Sequence, residues 1–289
     1  MQSFLAGIFY SLIWVLTLPP LQLLYLGSWA GFMVMQVFPG YRKQIIYNNL
    51  RTSFPELAEE DVRRLRRKYY RHLSQVMVES IKAMHWSVDR LKKRIILKNP
   101  GFIEEMAAKD ENLVILAGHT GNWEWLPGLV APYGYDLLGV YKPQTSKFFN
   151  RITVRIRRKK GVYPISMRET ARAIKSRENS ERPKALLLIA DQIPAKPDIH
   201  FWADFLNQKT AWFTGGEKIA KKYELPVVFM QVLRTARGKY EGTIVPISLD
   251  PAKEKDEEIT RRYVRELEKN IKTQAESWLW SHRRWKHQP

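Results

Sequence analysis

Cysteine is absent from this chain of 289 residues. Disulfide bonds, thiolate metal sites and a cysteine acyl-enzyme are therefore excluded. The chain also lacks a GxSxG elbow, a Walker A loop, an HExxH pair and a GxGxxG loop, so serine hydrolases, P-loop enzymes, zinc proteases and dinucleotide-binding dehydrogenases lose their usual sequence support. No motif for a metal or an organic cofactor remains, and we expect the protein to use neither.

Charged side chains are absent from residues 1–41, and Arg42 is the first. The apolar runs on either side of Pro19-Pro20 are each slightly shorter than the roughly 20 residues that cross a bilayer. We predict that residues 1–41 form a hydrophobic membrane anchor, either one span with an interfacial helix or a shallow hairpin; a buried core helix is the alternative. The basic residues that follow predict that residues 42–289 lie on the cytoplasmic side.

Positive charge dominates the rest of the chain. Lys and Arg number 48 against 29 Asp and Glu, which gives a net charge of +19. Anionic lipid, acidic proteins and nucleic acid all suit such a chain. A membrane-tethered nucleic-acid-binding protein would use the 10 tryptophans for base stacking, but the aromatic residues are scattered and no nucleic-acid motif occurs. We therefore expect no nucleic acid among the partners.

Apolar, strand-like runs alternate with helical patterns after residue 42. This alternation predicts one α/β domain over residues 42–289, with a mixed, mostly parallel sheet flanked by helices. The predicted strands are 113–117, 137–141, 185–190, 227–233 and 243–247. The predicted helices are 169–176, 214–223, 257–280 and a basic amphipathic helix over 56–84, which follows an apparent capping box that begins at Ser53.

A histidine stands where the first predicted strand ends. The strand breaks at Gly118, His119 follows directly, and Glu124 is five residues further on. A neutral imidazole can take a proton from a hydroxyl near neutral pH, and a carboxylate bonded to its other nitrogen would orient it. A turn could bring Glu124 back to the ring; alternatively, Asn122 caps a helix and Glu124 is an ordinary surface residue.

Two further features could contribute to the same site. Asp191 and Gln192 follow the strand predicted at 185–190, and strand ends of an open α/β sheet often face one cleft; a turn or helix cap is the alternative. Five of the six residues 155–160, which include Arg157 and Arg158, are basic. They could bind phosphates or an acidic protein, or form a solvated surface.

The segment from His119 to Glu124, HTGNWE, resembles the HX4E signature of the late acyltransferases of lipid A biosynthesis, of the lauroyl and myristoyl transferase type, within the lysophospholipid acyltransferase superfamily. Blocks at 48–50, 54–57, 140–143, 191–192 and 280–286 are similar to family blocks and occur in the same order. Two positions depart from the pattern, because Lys142 replaces the usual arginine and Ala190 replaces a common proline.

The resemblance implies an enzyme of the bacterial inner membrane that transfers a fatty acyl chain from acyl carrier protein to a hydroxyl of a phosphorylated lipid A precursor, without an acyl-enzyme. His119 would be the general base and Glu124 would orient it. An anionic membrane surface is a further implied partner, and a lysophospholipid, aminolipid or glycolipid is the alternative acceptor. Six residues are expected to bind substrate: Asn122, Lys142, Arg157, Arg158, Asp191 and Gln192.

Overall fold

The computed structural model describes residues 7, 11–37, 42–141, 147–166, 169–176 and 181–287. Its strands are β1 (Ile95–Leu97), β2 (Leu113–Ala117), β3 (Asp136–Val140), β4 (Val162–Ile165), β5 (Lys184–Ile189), β6 (Phe201–Phe205), β7 (Gln208–Trp212), β8 (Val227–Ala236) and β9 (Lys239–Ser248). Seven of them form one sheet in the order β1-β9-β8-β2-β5-β3-β4, and β6 and β7 form an antiparallel pair.

The large sheet is mostly parallel. Every neighbouring pair in it runs parallel except β8 and β9, which are antiparallel. The predicted mixed, mostly parallel sheet flanked by helices is therefore confirmed. The sequence did not predict β1, β4, β6 or β7, because β1 and β4 are only three and four residues long and polar residues interrupt β6 and β7.

Helices cover both faces of the sheet. They are α1 (Leu21–Val37), α2 (Lys43–Ser53), α3 (Glu59–Lys82), α4 (Val88–Lys92), α5 (Pro100–Ala108), α6 (Pro127–Val130), α7 (Lys147–Lys159), α8 (Thr170–Lys175), α9 (Gly215–Tyr223) and α10 (Glu258–Thr273). The predicted capping box is wrong, because Ser53 ends α2 and the residue before α3 is Ala58, which makes no side-chain cap. The predicted helix 257–280 ends early, since Trp278 and Trp280 turn into the core.

Buried side chains form two clusters, one on each face of the sheet. Strand β2 shows the division, because Val114 and Leu116 belong to one cluster whereas Leu113, Ile115 and Ala117 belong to the other. All five residues are buried, as expected for a strand of a parallel sheet that is covered on both faces. This double burial fixes the position of the residues that follow β2, which carry the site.

Helix α1 contains no charged residue and packs along α3. Leu21, Tyr25 and Ser28 are buried, whereas Leu26 is 71% exposed and Trp29 is 65% exposed. In the part of the chain that the structure describes, no helix combines the length and the apolar character needed to cross a membrane. The membrane anchor at residues 1–41 stays a prediction.

Candidate active site

Two neighbouring parallel strands bring the central pair of the site together. Ala117, the last residue of β2, lies opposite Ile189, the last residue of β5. His119 and Asp191 each follow two residues later, so the sheet register places them side by side. The Nδ1 atom of His119 lies 2.5 Å from Oδ1 of Asp191, and the backbone N–H of His119 donates to Oδ2 at 2.8 Å.

Asp191 is a buried carboxylate that makes several hydrogen bonds. Its side chain is 2% exposed, and Trp278 donates its indole N–H to Oδ2 at 2.7 Å. Burial alone would raise the pKa of Asp191, but the charge of His119 and the hydrogen bonds from His119 and Trp278 outweigh burial and hold the pKa below its ordinary value. Asp191 is therefore ionised near neutral pH and accepts hydrogen bonds only.

The carboxylate determines which nitrogen of His119 carries the proton. Because an ionised carboxylate cannot donate, Nδ1 must hold the hydrogen, and Nε2 is left with its lone pair. Burial would lower the pKa of His119, but the charge and hydrogen bond of Asp191 outweigh it, so the pKa is raised. The Trp123 ring packs edge-on against the imidazole, with ring centroids 5.2 Å apart. His119 is thus an oriented base with a strengthened affinity for a proton.

A cavity of about 330 Å³ lies beside this base. The polar residues that line it are His119, Glu124, Tyr141, Thr153, Arg157, Lys160 and Gln192. The apolar residues that line it include Pro127, Val140, Val162, Leu187 and Ile189. A cavity that is lined by both apolar residues and a few polar groups suits a ligand that combines a hydrocarbon chain with a polar reacting group.

Glu124 does not orient His119. Nδ1 of the imidazole is bonded to Asp191, and Glu124 instead accepts a hydrogen bond from Nη2 of Arg157 at 3.4 Å. The expectation of an orienting bond from Glu124 is therefore wrong. The physical reason is local, because the 3₁₀ turn Trp123–Trp125 buries Trp125 completely and leaves Glu124 partly exposed beside α7, which carries Arg157.

Asn122 is another correction, because its side chain faces the protein interior rather than the cavity. It is fully buried, donates from Nδ2 to Oε2 of Glu79 at 2.9 Å and accepts a hydrogen bond from Ser80 at 3.3 Å. Asn122 does not line the cavity, so the structure gives no support to its predicted contact with substrate. Its amide instead fixes the turn that follows His119.

Glu79 is the centre of a second buried group, the Glu79 cluster, which consists of Tyr25, Glu79, Asn122 and Tyr240. Glu79 is fully buried and accepts hydrogen bonds from Tyr25 at 2.7 Å and from Tyr240 at 2.6 Å, besides the one from Asn122. Nearby, His72 is held neutral, because burial and Arg234 lower its pKa to about 3. The Glu79 cluster joins α1, α3 and β9 to the turn of the site.

The remaining predicted substrate-binding residues lie in different places. Arg157 and Gln192 line the cavity, and Nε2 of Gln192 lies 3.4 Å from Nε2 of His119. Asp191 is buried against His119, which corrects its predicted contact with substrate. Arg158 lies outside this cavity, in a separate surface depression beside Arg155. Lys142 falls outside the described residues.

Four contributors to the site were not recognised from the sequence: the orienting role of Asp191, the Trp278 donor, the buried Lys160 and Glu79. The first had a usable signal, because Asp191 follows a predicted strand just as His119 does. Trp278 stands two residues before the C-terminal block at 280–286 that resembles the family. Lys160 was part of a charge run and Glu79 part of an amphipathic helix, so the sequence carries no signal that sets either apart.

Several known proteins are similar over most of this chain. The lipid A biosynthesis palmitoleoyltransferase of Escherichia coli K12 is 22% identical over 281 residues, covering 96% of this chain and 89% of that protein. The lipid A biosynthesis lauroyltransferase of the same organism is 22% identical, covering 96% and 90%. A lipid A biosynthesis acyltransferase of Haemophilus influenzae is also 22% identical, covering 95% and 88%.

A solved structure, that of the 1-acyl-sn-glycerophosphate acyltransferase of Thermotoga maritima, superimposes with a TM-score of 0.38 at 16% identity, covering 89% of this chain and 97% of that one. The model of the bacterial lipid A biosynthesis acyltransferase family matches residues 2–287. The protein therefore belongs to the bacterial lipid A biosynthesis acyltransferase family and is a lipid O-acyltransferase.

Proposed function

We propose that this enzyme transfers a fatty acyl chain from acyl carrier protein to a hydroxyl of a phosphorylated lipid A precursor. The observation that carries the proposal is the hydrogen bond between His119 Nδ1 and Asp191, which leaves the basic Nε2 of an oriented imidazole at the wall of a partly apolar cavity. Family membership and the names of the relatives supply the substrate class.

The chemical step uses His119 as a general base and then as a general acid. Nε2 accepts the proton of the acceptor hydroxyl while that oxygen bonds to the thioester carbonyl carbon. The tetrahedral intermediate collapses when its carbon–sulfur bond breaks, and the departing thiolate takes the proton back from His119. Asp191 stabilises the imidazolium between the two transfers. No acyl-enzyme forms, in agreement with the absence of cysteine.

Arg157 and Glu124 form an ion pair at the lining of the cavity. Their side chains are about one-third exposed there, and the ion pair between Nη2 and Oε1 spans 3.4 Å. A guanidinium that is only loosely paired can turn its remaining N–H groups to a phosphate of the acceptor, and the fork geometry of arginine suits that anion. Glu124 then serves to hold Arg157 in place, which replaces the expected role of Glu124 in orienting the base.

The surface around the cavity suits a membrane enzyme that takes its donor from a carrier protein. The exposed apolar side of α1, with Leu26 and Trp29, fits the interfacial region of the bacterial inner membrane. Helix α7 exposes Arg151, Arg155 and Arg158 next to the cavity-lining Arg157, and this basic surface complements an acidic carrier protein. The acyl donor would approach from the cytoplasmic side.

The test is a reaction of the purified full chain with acyl carrier proteins that bear chains of several lengths and with a phosphorylated glucosamine lipid precursor. Mass spectrometry of the lipid should show the addition of one acyl group, with His119→Ala as the inactive control. Parallel reactions offer a lysophospholipid as acceptor. Acylation of that lipid without acylation of the glucosamine lipid would refute the proposed acceptor.

A further inference from the structure

Lys160 is a buried cation in the wall of the cavity. It is 2% exposed and lines the cavity together with His119, Glu124 and Arg157. It follows directly after α7, in a turn that Gly161 completes with a φ of 74°. Among the described residues, no side-chain hydrogen bond or ion pair involves Lys160. The turn therefore holds an ammonium group at the cavity without a bonded counter-charge.

The buried ammonium group of Lys82 provides a comparison for Lys160. Lys82, which is 6% exposed, donates from Nζ to the carbonyl oxygens of Thr17 and Leu18 at 2.7 and 2.9 Å. In the cavity itself, Arg157 is paired with Glu124. A buried charge without such partners is unfavourable, and proteins retain it mostly where function needs it.

The charge on Lys160 depends on its surroundings in the cavity. Burial lowers the pKa of Lys160 to about 8, with Glu124 raising it and Arg157 lowering it. The other titratable side chains that line the cavity are those of His119 and Tyr141. Lys160 is therefore mostly protonated at pH 7, and an oxygen anion that enters the cavity would strengthen its hold on the proton.

Acyl transfer creates such an anion. When the acceptor oxygen bonds to the thioester carbon, the carbonyl π electrons move to the carbonyl oxygen, and that negative charge must be stabilised until the carbon–sulfur bond breaks. We propose that the ammonium group of Lys160 donates a hydrogen bond to this oxyanion and is a catalytic residue. The role rests on the proposed function, and it adds an electrophile to the base that His119 supplies.

The experiment compares the wild type with Lys160→Met and Lys160→Arg in steady-state kinetics and thermal unfolding. Methionine has similar volume but no charge, so we expect kcat to fall about 100-fold or more while KM for both substrates changes by less than about threefold. Lys160→Arg keeps a positive charge at this position, so we expect its kcat to be at least about tenfold higher than that of Lys160→Met. Lys253→Met, in which an 85%-exposed lysine is changed, is the matched control with normal kinetics.

Two further measurements distinguish a catalytic role of Lys160 from a structural one. The melting temperature of Lys160→Met should equal or exceed that of the wild type, because the variant no longer buries an unpaired charge. The alkaline decline of kcat that follows deprotonation of Lys160 should disappear in Lys160→Met. A lower melting temperature, an unchanged kcat, or a raised KM for the phosphorylated acceptor with normal kcat would each overturn the proposal.

The same experiment separates this inference from the proposed acceptor. If the wild type acylates a lysophospholipid instead of the glucosamine lipid, the proposed acceptor fails, yet the loss of kcat in Lys160→Met should persist, because the oxyanion arises with any hydroxyl acceptor. A wild type that transfers no acyl chain would refute both the proposed function and this role of Lys160.

Discussion

Two buried carboxylates flank the turn that carries the site, and they do different things. Asp191 is 2% exposed and Glu79 is fully buried. Each accepts three hydrogen bonds: Asp191 from the ring and backbone of His119 and from Trp278, and Glu79 from Tyr25, Asn122 and Tyr240. In both cases the bonds compensate for burial of the charge.

The difference lies in the donors. Asp191 is bonded to an imidazole, which exchanges a proton near neutral pH. Glu79 is bonded to an amide and to two phenols, and burial together with the charge of Glu79 raises the pKa of both Tyr25 and Tyr240. The phenols therefore keep their protons, and the Glu79 cluster is a fixed support. Of these two carboxylates, only Asp191 has a donor that titrates near neutral pH, and in the proposed mechanism only Asp191 assists proton transfer.

The largest effect should come from removing the titrating donor itself. His119→Ala eliminates the base, and we expect kcat/KM for acyl transfer to fall by about 10³- to 10⁴-fold. Thermal unfolding of the purified variant should show that it stays folded. Loss of less than about tenfold would mean that another group takes the proton, and the contrast between the two carboxylates would lose its basis.

Asp191→Asn should have the second largest effect, a fall in kcat of about 10²- to 10³-fold. The neutral amide does not stabilise the imidazolium. It also does not hold the hydrogen of neutral His119 on Nδ1, so Nε2 has a free lone pair in only a fraction of the molecules. Steady-state kinetics on the same lipid acceptor measure this loss. Glu124→Gln is the comparison variant, since Glu124 was the expected orienting group. If Glu124→Gln removed the pH dependence of kcat and Asp191→Asn did not, the assignment of the orienting carboxylate would be reversed.

The pH dependence of the wild type gives a third, smaller effect. His119 must be neutral to accept a proton, and its pKa is raised above 6.5, so kcat/KM should increase about tenfold per pH unit up to that pKa and then level off. In Asp191→Asn the raising charge is lost, and the acid limb should move to lower pH. An acid limb at the same pH in both proteins would show that Asp191 does not control the protonation of His119.

The contrast also shows which parts of the site a sequence can reveal. His119 could be identified because a continuous apolar run ends at Gly118, which is a local signal. Asp191 had the same strand-end signal, but its pairing with His119 had none, because Asp191 is 72 residues away and reaches the ring only through the register of β2 and β5. The role predicted for Glu124 instead followed from the resemblance of residues 119–124 to the HX4E signature, since spacing alone left Glu124 as an ordinary surface residue equally open.

The fold was predictable to the same limited extent. The long apolar strands were recognised from composition, but the short edge strand β4, which follows the turn that positions Lys160, was not. The sequence also did not show which charged residue of a charged segment is buried, and Glu79 and Lys160 both occur in such segments. Tertiary packing, rather than local preference, determines which charge of such a segment points inward.

Glu79→Gln should produce the smallest change in activity, and it tests directly whether Glu79 differs from Asp191 in function. One side-chain oxygen of glutamine is replaced by an NH₂ group, which cannot accept from a tyrosine hydroxyl or from the Asn122 amide, so at least one buried donor loses its partner. We expect the free energy of unfolding to fall by about 1–3 kcal/mol. Glu105→Gln, in which an exposed carboxylate is neutralised, is the control and should stay within about 0.5 kcal/mol of the wild type.

Kinetics of Glu79→Gln then distinguish a support from a proton carrier. Loosening of the Asn122 turn should lower kcat only about three- to tenfold, because His119 and Asp191 are still held by the register of β2 and β5. The acid limb of the pH profile should coincide with that of the wild type, since Glu79 exchanges no proton with the imidazole. A shifted acid limb would show that the charge of Glu79 changes the pKa of His119. Both carboxylates would then act on the same base.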